Sequence, residues 1–109
     1  MEVSNYITED RIEPFAEWIK KLRDSQTRMR VLKSITKMRL GNFGDSESVG
    51  EGVSELKLDF GAGYRVYYAK QGEKIVFLLC GGDKKSQQKN IEQAREYWAE
   101  YKARMKRGK

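Results

Sequence analysis

Histidine is absent from this chain, which removes the commonest metal ligand and a frequent general base at once. No cluster of Asp, Glu or Cys shows metal-ligand spacing, so the sequence points to no metal and no small-molecule cofactor. Cysteine occurs once, at Cys80. That excludes an internal disulfide, and its place in the apolar run 75–80 marks it as a small buried hydrophobe in a reducing compartment. The single proline, Pro14, suits a helix only in its first turn, where its missing N–H leaves no hydrogen bond unmade. No apolar run approaches the ~20 residues that cross a bilayer. Glu2 ahead of Val3, with no apolar core behind it, reads as no signal peptide, so the expected location is the cytoplasm, away from membranes. Internal repeats, low-complexity segments and interdomain linkers are also missing.

What is present is one domain of 109 residues, 39% apolar and 35% charged, a polar composition suited to a small domain with much surface. Its net charge of +6 is unevenly spread. Residues 1–54 hold nine Lys/Arg and nine Asp/Glu, and residues 55–109 hold thirteen and seven. Polyanion contact is therefore expected in the second half.

In chain order, residues 3–8 alternate loosely as a first strand, and Thr8, Glu9 and Asp10 supply a cap and early acids for a helix. Ile12, Phe15, Trp18, Ile19 and Leu22 recur at helical spacing and predict that helix over 9–23. After a stop at Asp24 and Ser25, a second helix over 25–40 has Val31, Leu32, Ile35 and Met38 as its apolar stripe. Arg28, Arg30, Lys33, Lys37 and Arg39 form its solvated outer face. The short break predicts an antiparallel helical hairpin. Residues 41–52, with four glycines and no apolar periodicity, read as a surface loop. A last helix follows Gly82, capped by Asp83 or Ser86, with Ile91, Ala94, Trp98, Tyr101 and Met105 as its stripe. The basic tail, about 102–109, reads as frayed.

Residues 56–89 organise the rest. Leu56-Lys57-Leu58, the turn Gly61-Ala62-Gly63, then Tyr64-Arg65-Val66-Tyr67-Tyr68, a turn near Gln71-Gly72 and the run 75–80 read as consecutive antiparallel strands. Such a meander draws Lys57, Arg65 and the cations after Gly82 from adjacent strands, and a cluster there suits a phosphate. Whether Lys57 and Arg65 share a face depends on a register that sequence does not give. With histidine absent and no metal-ligand spacing, proton transfer and charge stabilisation at such a phosphate fall to Lys and Arg. A lysine crowded by cations has its pKa lowered from about 10.4 and can accept a proton. Arg stays charged, and its planar fork suits phosphorane oxygens. Against this stands a structural alternative, in which Arg65 is a surface strand residue paired with Glu55 or Asp59.

Lys57-Leu58, Gly63-Tyr64-Arg65-Val66-Tyr67-Tyr68 and the strand ending in Gly81-Gly82-Asp83-Lys84 resemble the core signature of the RelE/ParE toxin superfamily, closest to its HigB-like addiction module killer branch. The resemblance covers nearly the whole chain. It implies an α+β fold with two N-terminal helices packed on a mainly antiparallel four-stranded sheet, closed by a C-terminal helix. It also implies a type II toxin that cuts translated messenger RNA in the A site of the 70S ribosome without metal, with a cognate antitoxin as partner. Residue by residue, it assigns Lys57 to proton acceptance, Arg65 to phosphate stabilisation and Lys84 to a second catalytic cation. Lys85, Lys89, Tyr64 and Tyr68 become RNA contacts. An aromatic or histidine donor that relatives place near the start of the last helix is missing, with Lys89 and Asn90 in that vicinity. The general acid is then water, Lys84 or one of Tyr64, Tyr67 and Tyr68. Two other readings stay open: a ParE-like gyrase inhibitor, and a catalytically degenerate RNA-binding homologue.

Overall fold

Pro14 decides where the first helix begins. In the computed structural model, which describes residues 1–108, α1 runs Pro14–Lys21 with the proline in its first turn and Glu13 as the cap residue. This corrects the expected helix over 9–23: the Thr8 hydroxyl accepts from the backbone N–H of Ile12 at 3.1 Å and closes a local turn instead. Arg11 sits in that turn at φ 68°, and Ile12 is left 48% exposed outside the helix. α2 spans Ser25–Arg39, capped by Asp24, whose carboxylate accepts from the Gln26 N–H. The Thr27 hydroxyl and that N–H together hold the Asp24 pKa below its usual value.

Five strands follow the order β1-β5-β4-β3-β2 in one sheet. These are β1 (Glu2–Asn5), β2 (Ser46–Gly50), β3 (Val53–Leu58), β4 (Tyr64–Gln71) and β5 (Ile75–Gly82). The expected four-stranded sheet is corrected to five strands, because the segment 41–52, expected as a loop, contributes β2, paired antiparallel with β3; β1 pairs in parallel with β5, so the sheet is mixed though mainly antiparallel. β2 hides from periodicity because it is an edge strand of Ser, Glu and Ser, with a register shift between Ser48 and Gly50. Polar side chains and bulges are how exposed edges avoid further pairing.

Alternation along the strands builds two cores. Leu56, Leu58, Val66, Tyr68, Val76 and Leu78 pack with Phe15 of α1 and Val31, Ile35 and Met38 of α2. On the other face Val53, Tyr67, Ala69 and Leu79 pack with Ala94 and Trp98 of α3, which spans Gln87–Arg107. Trp18 lies flat against Gly81, where a Cβ would collide with its ring. Leu32, expected in the α2 stripe, is 46% exposed. The tail expected to fray is helical through Arg107; Lys109 lies outside the described residues.

Candidate functional site

The sheet register settles what the sequence leaves open. Lys57 on β3 stands directly opposite Arg65 on β4, and Arg65 stands opposite Gly82 on β5. Past Gly82, Asp83 accepts from the Ser86 N–H at 3.0 Å and turns the chain into a 3-10 helix, Lys84–Ser86, that leads into α3. Asp83 thus caps the turn, whereas Ser86 stands in the cap position of α3 without a side-chain capping bond, its hydroxyl turned to Asp83 and Asn90. Lys84 is brought back over the end of β4, its N–H donating to the Ala62 carbonyl at 3.3 Å. Gly63, at φ 72°, forms the saddle between the two cations. A Cβ there would lie 3.1 Å from Lys84 Cβ and 3.5 Å from Arg65 Nη1, so the close approach requires glycine.

Arg65 is buried, so the surface-strand alternative is corrected in its placement, though its partner is Glu55 as that reading held. Its Nη1 donates to the Gly63 carbonyl at 2.9 Å. Its Nε lies 3.9 Å from Glu55 Oε2 and makes no hydrogen bond. The fully buried Glu55 carboxylate is already occupied. Tyr67 Oη donates to it at 2.8 Å, and Gln87 Nε2 donates to both oxygens at 3.1 and 2.9 Å. The arginine is therefore attracted to a carboxylate that two other donors hold, which leaves guanidinium capacity for an incoming anion.

Lys57 is not crowded by cations. Its ammonium pairs with Glu47 of β2 at 3.0 Å, and the Glu47 hydrogen bond and charge, with Asp45 and Glu55 behind, raise its pKa rather than lower it. The expected depression is corrected: as folded, Lys57 holds its proton.

Lys84, Lys85 and Lys89 are exposed around the start of α3, and no acid occupies that helix's first turn. Cations beside the positive end of a helix dipole reinforce one another's field, which favours a phosphate there. Tyr64 and Tyr68 fall on the opposite sheet face. Tyr68 is buried and stacks on Phe43 with centroids 5.6 Å apart; Tyr64 packs edge-on to Trp18 at 6.2 Å. Tyr68 is a core residue and offers no ring to a base, and Tyr64 is half-buried against that core. Tyr67 shares the Arg65 face but is fully buried, its phenol pushed upward in pKa by desolvation and by its bond to Glu55. Of the side chains named for the general acid, Lys84 is the exposed one, and it lies by Arg65 across Gly63; Tyr64 is half-buried on the other sheet face.

Glu55 and Gln87 are the site residues that sequence reasoning missed as a unit. The one available signal was alternation, since Glu55 lies two residues before Lys57 and so shares its face. Cys80 is buried, and desolvation lifts its thiol to about 12, leaving it inert as a nucleophile. Among the described residues no group of His, Cys, Asp or Glu is placed to hold a metal, and no helix is long and apolar enough to cross a membrane.

Comparison with known proteins gives the family. The profile described as "Phage derived protein Gp49-like (DUF891)" matches residues 17–99. The chain belongs to this Gp49-like family. Its matched region contains every candidate site residue from Lys57 to Lys89 and stops within α3. A Haemophilus influenzae protein described as "Uncharacterized protein" is 44% identical over 81 residues, covering 74% of this chain and 82% of the relative. No solved structure matches the chain.

Proposed function

We propose that this protein is the toxin of a type II toxin–antitoxin pair, of the HigB-like kind, and a metal-independent endoribonuclease that cuts translated messenger RNA in the ribosomal A site. Membership of the Gp49-like family is consistent with such a toxin. The observation that carries the chemistry is the pairing of Arg65 and Lys84 across Gly63. In this reading the Arg65 fork holds the phosphorane oxygens, and Lys84 gives a proton to the departing 5′-oxygen. Lys57 accepts the 2′-hydroxyl proton as a neutral amine, reached when the Glu47 pair opens and the ammonium gives its own proton to water, with the Arg65 charge opposite it favouring the neutral form. Lys85 and Lys89 hold flanking phosphates. A cognate antitoxin, acidic where it meets this site, neutralises the same charges.

The test is cleavage of a defined messenger in purified translating ribosomes, with a gyrase supercoiling assay alongside. Lys84→Ala and Arg65→Lys should each lower cleavage by about 10²- to 10⁴-fold with the fold intact. Intact messenger together with blocked supercoiling would replace this reading with a gyrase inhibitor on the same scaffold.

A further inference from the structure

α2 carries Arg28, Arg30, Lys33, Lys37 and Arg39 and not one Asp or Glu. Arg28 turns back to the Leu22 carbonyl, but Arg30, Lys33 and Lys37 form no ion pair among the described residues. Their spacing of three and four residues lines them along one ridge roughly 10 Å long. Between this ridge and the end of β3 lies a cavity of about 400 Å³, lined by the three cations together with Lys57, Asp59 and Phe60. Arg30 is fixed over the Phe60 ring, its guanidinium carbon 3.9 Å from the centroid. Lys57 lines the cavity and stands opposite Arg65 in the register, so cavity and candidate site meet around the end of β3 from opposite faces of the sheet.

We propose that the Arg30–Lys33–Lys37 ridge is a docking rail for the phosphate backbone of RNA, holding the strand on its approach to Arg65 and Lys84. The proposal rests on the reading that RNA is the substrate. Cations three and four residues apart on a helix repel one another, and a row of phosphates relieves that repulsion. The cavity presents charge rather than an apolar anchor: its one aromatic ring is covered by Arg30. The hot spot of a protein partner would need such an anchor. Met29 and Leu32, 69% and 46% exposed, lie outside this cavity and line a separate groove on the other flank of Arg30 and Lys33.

The test is fluorescence anisotropy with a single-stranded 2′-O-methyl RNA, which no 2′-hydroxyl attack can cut, over a salt series. Each phosphate contact contributes about 0.7 to the slope of log K against log salt, so Lys33→Ala/Lys37→Ala should flatten the slope by about 1.4 and weaken binding. Lys102→Ala/Lys106→Ala, which removes the same charge from α3, should leave the slope unchanged, as should Met29→Ser/Leu32→Ser. Thermal melts confirm that all variants fold. An unchanged slope in the α2 variant, an equal loss in the α3 variant, or a loss from Met29→Ser/Leu32→Ser alone overturns the rail, as does a wild type without RNA affinity. Ribosomal cleavage by the same proteins separates the two claims. Wild-type cutting by Lys84→Ala sinks the nuclease mechanism and spares the rail. An unaltered slope with normal wild-type cutting does the reverse.

Discussion

The long helices α2 and α3 both carry many cations and use them oppositely. α3 holds six Lys/Arg against three Glu, and its arginines tie the molecule together. Arg95 donates from Nε to the Val49 carbonyl at 2.9 Å and pairs with Glu51 at 3.5 Å. Arg104 reaches the Ile7 carbonyl at 2.7 Å and Glu100 at 2.8 Å, and Arg107 meets Glu9 at 2.6 Å. α2 has five cations and no acid, and its central row makes no ion pair among the described residues, Arg30 resting only on the Phe60 ring. The neutral half of the sequence therefore holds the unpaired ridge, whereas much of the excess charge in the basic half is structural. Net charge by halves misdirects because it cancels residues that folding keeps apart. The acids of residues 1–54 all lie off α2.

If α3 is the structural helix of the pair, damage to its packing should have the largest effect. Trp98 is 6% exposed, stacks on Tyr101 at 5.2 Å and lies 6.0 Å from Phe77. Trp98→Ala should lower unfolding free energy by about 3–5 kcal/mol in a denaturant titration. A loss below 1 kcal/mol would break the contrast. Next comes the junction between α3 and the sheet. Glu55→Ala removes the acceptor of Gln87 and Tyr67 and leaves Arg65 buried without a counter-charge, at an expected loss of about 3 kcal/mol. Glu55→Leu combined with Arg65→Met should recover only the part owed to the unpaired arginine, because the Tyr67 hydroxyl and the Gln87 amide still lack their acceptor. Full recovery would mean that neither donor depends on the carboxylate.

Much of this division was legible in the sequence. The meander, the two helical blocks on one face and the stripe Ala94–Trp98 follow from periods of two and three to four residues, which burial imposes directly. The cation cluster was legible as a list of residues from neighbouring strands. What failed were features decided by pairing rather than by pattern. β2 has no apolar period because one edge of it faces water. Whether Lys57 meets cations or Glu47 depends on a partner strand that was read as a loop, so its charge environment was assigned with the wrong sign. Tyr64 and Tyr68 alternate away from Arg65 in the sequence itself; two-residue alternation already placed them on the opposite face, and the family pattern drew them into the site regardless. Glu55 and Gln87 are 32 residues apart and meet only because α3 lies back along the sheet.

The smallest effect is the sharpest test, because its sign differs between the two helices. On α3, Glu100 and Arg104 form a favourable pair one turn apart, so removing either should weaken the fold. On α2, Lys33 has Arg30 three residues before it and Lys37 four after it, with no ion pair for any of them among the described residues. Each like-charge contact at this spacing costs a few tenths of a kcal/mol, and Ala is the best helix former. Lys33→Ala should therefore stabilise the protein by about 0.5 kcal/mol, read as a higher denaturant midpoint at unchanged slope, and most clearly at low salt, where screening is weakest. A stabilising substitution at an exposed lysine means that the native helix keeps its repulsive row at a cost to folding, which is expected where the row serves a polyanion. A destabilising result would mean that Lys33 has a structural partner, and the contrast between α2 and α3 would no longer be one of function against fold.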